Sequence, residues 1–94
     1  MKSNYLMLCE LDKEFNPKNF GYITKEEIIL VKNILHIEEM DNLALQNLRD
    51  MSVMFYCLKI DHTEENEKRF SYMDKQSAIC GVIDSEKSKR GMAV

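Results

Sequence analysis

The sequence predicts an all-α fold: one helical domain of four to five helices over residues 1–94, with at most a very short strand pairing between loops. Three observations lead there. Breakers are scarce, with a single Pro and three Gly. Apolar residues recur at steps of three and four, the spacing that lines one face of a helix. Several of these stretches begin behind a polar cluster with helix-capping chemistry. A hydrophobic fraction of 45% is ordinary for a chain that folds.

Residues 4–15 carry Leu8, Leu11 and Phe15 on one face, with Tyr5 a turn earlier, and read as the first helix. Asn16-Pro17 ends it, because the residue before a proline is disfavoured in the helical region. Residues 16–23 then form a loop. Thr24-Lys25-Glu26-Glu27 is a capping box, in which the Thr side chain and the Glu side chain each bond the other's backbone N–H. Ile28, Val31, Ile34 and Leu35 follow, so a second helix is expected to run to Ile37–Glu39. Asp41 caps a third, with Ala44, Leu48, Met51, Phe55 and Leu58 as its apolar seam. Val53–Ile60 is also rich in β-prone residues, so periodicity alone leaves a short strand open there. Asp61-His62-Thr63-Glu64 signals another start, and Glu64, Glu65 and Glu67 suit the positive end of a helix dipole. Phe70 and Met73 share a face of that helix. A turn is expected near Gly81, followed by a short helix over Ser85–Gly91.

The composition narrows the function classes. A net charge of −3 gives no basic stripe for nucleic acid beyond Lys87, Lys89 and Arg90, which read as a solvated tail. Cys9, Cys57 and Cys80 show no paired spacing and do not cluster with His36 or His62, so free thiols in a reducing, cytoplasmic setting are expected. No apolar run approaches the roughly 20 residues of a membrane span. Glu10 and Asp12 interrupt any signal-like core near the start. Adjacent carboxylates at Glu26-Glu27, Glu38-Glu39 and Glu64-Glu65 point in different directions from a helix and read as solvated faces. No serine stands in a nucleophile-elbow context. The expectation is a non-catalytic protein, without cofactor or metal.

Residues Phe15–Ile28 carry a further pattern. With Gly21 at the sixth position of a calcium loop, Glu27 falls at the twelfth, Ile23 at the apolar eighth and Asn16 at the first. Lys18 and Phe20 stand where oxygen ligands are wanted. A fainter echo, Gly81-Val-Ile-Asp-Ser-Glu86, follows Phe70-Ser-Tyr-Met73-Asp74-Lys75. The chain thus resembles a degenerate EF-hand protein of the calmodulin and myosin light chain type, over about 5–37 and 63–92. In the second stretch Gly81 comes two residues late after Asp74, so the partner loop lies at either 53–64 or 74–87.

The resemblance implies a calcium-independent lobe that grips an amphipathic helix of another protein, such as a myosin IQ segment. The implied partner-binding residues are Met51, Met54, Phe55, Phe70 and Met73, since flexible methionines line such adaptable grooves. The same exposed Met and Phe are compatible with a homodimer seam. The alternative class is a small helical regulator or inhibitor of phage or plasmid type, with no EF-hand ancestry, that binds a single host protein through a surface patch.

Overall fold

A computed structural model describes residues 2–17 and 22–92 and shows an all-helical chain. Helix α1 spans Asn4–Glu14, α2 spans Lys25–Leu35, α3 spans Asn42–Asp61 and α4 spans Asn66–Lys89, with one 3-10 turn at Ile37–Glu39. Among the described residues there is no strand.

The local chemistry explains most boundaries. Ser3 caps α1 by accepting from the Leu6 N–H at 3.2 Å. The helix stops at Glu14, and Phe15, already extended ahead of Asn16-Pro17, turns fully into the core. The Thr24–Glu27 capping box forms in full, with bonds of 2.9 and 3.2 Å. Helix α2 stops earlier than its pattern suggested, at Leu35. His36 takes the left-handed conformation (φ 54, ψ 40) and the 3-10 turn carries Ile37 into the core. Asp41 caps α3 through the Ala44 N–H at 2.7 Å.

The third helix continues through Val53–Ile60, which closes the strand alternative, because helical spacing sends Ser52, Phe55 and Tyr56 together to the buried side. The end of the chain needs correction: there is no turn at Gly81 and no separate helix at Ser85–Gly91, because α4 runs unbroken through Gly81. A glycine in a helix interior costs roughly 0.5–1 kcal/mol. Burying a side chain such as Ile79, Val82 or Ile83 contributes about 1.5–3 kcal/mol, so the flanking apolar residues win. The glycine that does stop the helix is Gly91 (φ 79). There the Met92 N–H bonds the Lys87 carbonyl at 2.9 Å and the Gly91 N–H bonds that of Ser88 at 3.0 Å, a Schellman motif. The start of α4 also differs: Glu65 is its N-cap and makes no side-chain cap bond, and the cluster at 61–64 lies in the connection.

These corrections bear on the second helix–loop–helix. Residues 74–87 lie inside α4, and 53–61 of the alternative loop lie inside α3. The stretch 63–92 is thus nearly all one helix, whereas α1 and α2 flank a connection at the place of the first loop. The core of that loop, Lys18, Asn19, Phe20 and Gly21, falls outside the described residues.

Helices α3 and α4 form the longest packed pair. They are antiparallel, since Gln46 meets Lys87, Arg49 meets Asp84 and Val53 meets Gln76. Helix α1 lies against α3 and α2. The core between them is built from Leu8, Leu11, Phe15, Leu35, Leu48, Tyr56 and Ile83, all fully buried.

Gly81 and Gly91 separate by substitution. A Cβ at Gly81 would meet nothing within 4 Å. Gly81→Ala is therefore expected to stabilise the fold by roughly 0.5–1 kcal/mol, through the glycine penalty it removes. Gly91→Ala is expected to destabilise it by about 1 kcal/mol, because alanine resists positive φ. Paired thermal melts check both signs.

Candidate functional site

Helices α2 and α4 meet over far less surface than α3 and α4. The opening between them is a groove of about 490 Å³. One wall comes from Ile28 and Lys32 of α2, with Tyr22 and Ile23 ahead of it. The floor is the outward side of α4, where Ser77, Ala78, Gly81 and Ser85 present little or no side chain. Val82 closes the inner edge and Asp74 marks one end. Tyr22 stands at the mouth, 66% exposed. Phe70, 62% exposed, lies one turn before Asp74 on the same side of α4. Two large apolar rings thus stand in water beside an apolar trough.

The charges along the groove are not random. Asp74 occupies the end nearest the start of α4. Lys32 sits toward the other end, close enough for its charge to help hold the Glu86 carboxyl ionised. Lys89 lies one turn beyond Ser85.

The five residues proposed from sequence do not share one cavity. Met51 is half-buried against the core, and Phe55, 6% exposed, is part of it, edge-on to Tyr5 at 5.7 Å and Tyr56 at 5.0 Å. Phe55 is a core residue and not a groove residue, because its side of α3 faces Tyr5 of α1. Met54 is exposed on the outer face of α3, with Leu43 and Leu58. Phe70 and Met73 are exposed on α4. Only Phe70 lies along the groove side, and none of the five lines the groove itself. The lining residues were missed because Ser, Ala and Gly carry no apolar signal, although their spacing at 77, 81 and 85 is visible in the sequence.

The polar interior holds the scaffold of this groove in place. Asp12 at the end of α1 accepts a hydrogen bond from the Tyr56 hydroxyl at 2.9 Å. The buried Lys75 ammonium donates to the Asp12 backbone carbonyl at 2.9 Å and to its carboxylate at 3.1 Å. Lys59 lies 3.8 Å from the same carboxylate and over the rings of Phe55 and Tyr72. Burial, together with the Asp12 charge, pushes the Tyr56 phenol far above its ordinary range, so it acts as a fixed donor. This cluster fastens α1, α3 and α4 at one point. At the other end of the molecule Arg90 donates to the Ile37, Glu38 and Met40 carbonyls and to Glu86, tying α4 to the 3-10 turn. Arg49 grips Asp84 through two bonds, which fixes the α3–α4 register.

Among the described residues no cluster of three or more His, Cys, Asp or Glu side chains is arranged to hold a metal ion, and no helix is long and apolar enough to cross a membrane. Glu27, the residue aligned with the closing ligand of a calcium loop, spends one carboxylate oxygen on the Thr24 N–H. Comparison with protein-family models, curated proteins and solved structures finds no match for this chain.

Two measurements probe the scaffold. Asp12→Ala strands a buried ammonium and is expected to cost about 3 kcal/mol, at the lower end for breaking a buried ion pair since Asp12 keeps some exposure. Urea unfolding reads it, and Lys75→Met in the same background should recover part of the loss. The second is a pH dependence. The hydrogen bond from Arg90 holds the buried Glu86 carboxyl below its ordinary value of 4.5. Its folded pKa being the lower one, the pair's contribution is complete above the ordinary value and fades as pH falls through the lowered one. Arg90→Leu is expected to reduce stability at neutral pH and to flatten the acid limb of a stability–pH curve.

Proposed function

We propose that this chain is a non-catalytic protein-binding module that takes an amphipathic helix of a partner into the groove between α2 and α4. The observation that carries the reading is the groove's shape. Its floor of Ser77, Ala78, Gly81 and Ser85 leaves room for a helix backbone to lie close, while Ile23, Ile28 and Val82 offer apolar contact. Helix-in-groove recognition uses anchors at steps of three and four residues against such a surface. Exposed Tyr22 and Phe70 supply aromatic contact at the rim, a residue type favoured at interfaces. The mode is that of a light-chain lobe, a helix held between two helices without calcium. The likeness rests on α1–loop–α2 alone, since the second helix–loop–helix is replaced by α4.

A second reading is favoured by a separate observation. Met54 and Leu58, one turn apart, expose an apolar pair on the outer face of α3, with Leu43 farther along the same helix beyond Asn47 and Asp50. Single exposed leucines need no explanation, but neighbouring large apolar residues offer a small contact patch. On this reading the chain is a small regulator that grips a host protein through that patch.

A designed basic amphipathic peptide, leucine on one face and lysine on the other, discriminates the two. With the chain held dilute, chemical-shift changes are expected at Ile23, Ile28, Ser77 and Gly81, unchanged by calcium and lost in Gly81→Leu. Shifts confined to Leu43, Met54 and Leu58 would instead support the regulator, and saturable calcium shifts near Glu27 would overturn the calcium-independent reading.

A further inference from the structure

We propose that a second copy of this chain supplies the helix: α4 lies in the groove of its partner, antiparallel, on a two-fold axis passing beside Gly81. This rests on the helix-accepting reading of the groove and names the occupant.

The outward side of α4 is electrically self-complementary. Asp74 lines one end of the groove, and Lys89 lies on α4 one turn beyond Ser85 at the other, while Lys32 of the wall is already paired with Glu38 at 3.4 Å. A two-fold contact places each residue against its counterpart's partner, so that i meets j and j meets i. With the axis at Gly81, Asp74 stands seven residues to one side and Lys89 eight to the other. At the helical rise these positions come level to within about 1.5 Å. Asp74 therefore meets Lys89 of the second copy, and the pair occurs twice. Neither side chain makes an ion pair with another described residue.

The packing agrees with the charge. Ser77 and Ser85 each stand four residues from Gly81, so Ser77 of one copy comes level with Ser85 of the other, one on each side of the Gly81 line. At the centre two glycines face each other with open space where a Cβ would project. Helices whose contact residues are small approach to the short end of the usual interaxial range. Asp74, Ser85 and Lys89 lie on the same side of the Gly81 line around α4, the side on which α2 forms the wall. A two-fold axis perpendicular to the pair of helices keeps that side common to both copies, so the opposite charges meet rather than pass. A foreign helix would need these charges by design. A second copy has them already.

Sedimentation equilibrium of the full chain over a micromolar to millimolar series tests the pairing. The expected result is a mass that moves from 11.1 kDa toward twice that value. Asp74→Lys and Lys89→Asp should each weaken association by about tenfold or more, and the double exchange should restore it. Met54→Asp, on the outer face of α3, should leave it unchanged. Circular dichroism confirms that each variant is folded. A chain that stays monomeric throughout overturns the proposal, as does a dimer that ignores the charge exchanges and dissociates on Met54→Asp. If the monomeric chain still binds the model peptide at the groove, only the second-copy occupant fails. If it binds no peptide there, the helix-accepting reading fails with it.

Discussion

The continuity of α4 through Gly81 is the constraint on which the rest depends. Its inward side supplies Ile79, Val82 and Ile83 to the core, Lys75 to the Asp12 cluster, and Glu86 and Arg90 to the clamp on the 3-10 turn. Its outward side supplies the floor of the groove. A break at Gly81 would put these two ends in different bodies. The magnitudes explain why none occurs. A glycine penalty near 1 kcal/mol stands against three buried aliphatic side chains within four residues.

The polar contacts divide the remaining work by position. Surface pairs such as Lys2–Glu10 and Lys68–Glu65 contribute little, being exposed and screened. The buried ones specify geometry. Asp12 accepts from Tyr56 and Lys75 at once, so α1 can sit at only one height against α3 and α4. Arg90 donates to three carbonyls of the 3-10 turn and its end, those of Glu38 and Met40 and that of Ile37, which also accepts from the Met40 N–H at 3.3 Å. The left-handed His36 that leads into that turn is a strained position for a side chain, and the clamp lies immediately beyond it. Between these two fastenings α2 is held mainly through Val31 and Leu35 against the core, which leaves Ile28 and Lys32 standing clear of α4.

Much of the fold was legible because caps and apolar spacing are local. Leu8, Leu11 and Phe15, the Thr24 box and the Asp41 cap all lie where the sequence placed them. What failed needed partners distant in sequence. Gly81 looks like a stop until Ile79 and Ile83 are known to face α3, and Gly91 differs from it only by what surrounds it. The β-prone run at Val53–Ile60 kept a strand open only until Ser52, Phe55 and Tyr56 are known to share the buried side of α3. The loop-like echo at 81–86 was composition without conformation. The site was less legible still. Hydrophobicity pointed to Met51 and Phe55, which are large and apolar because the core needs them. The groove is marked instead by the smallness of Ser77, Gly81 and Ser85, a signal that has meaning only once a neighbouring helix leaves that side open.

That last point ties the groove to the fold's own economy of contacts. A helix that packs on both sides would carry apolar residues at 77, 81 and 85 as it does at 79 and 83. Large exposed residues there would promote indiscriminate association, while charged ones would block approach. Small, nearly neutral residues do neither: they permit a close helix without attracting an arbitrary one. On the proposed pairing, specificity falls to the ends, where Asp74 and Lys89 carry opposite charge seven and eight residues from Gly81. Charge placed at the rim selects orientation and register more than it adds affinity. An antiparallel arrangement satisfies both ends, whereas a parallel one sets Asp74 against Asp74 and Lys89 against Lys89. On the proposed pairing the end charges select direction before identity, and the direction they select is the one provided by a two-fold axis perpendicular to the helices.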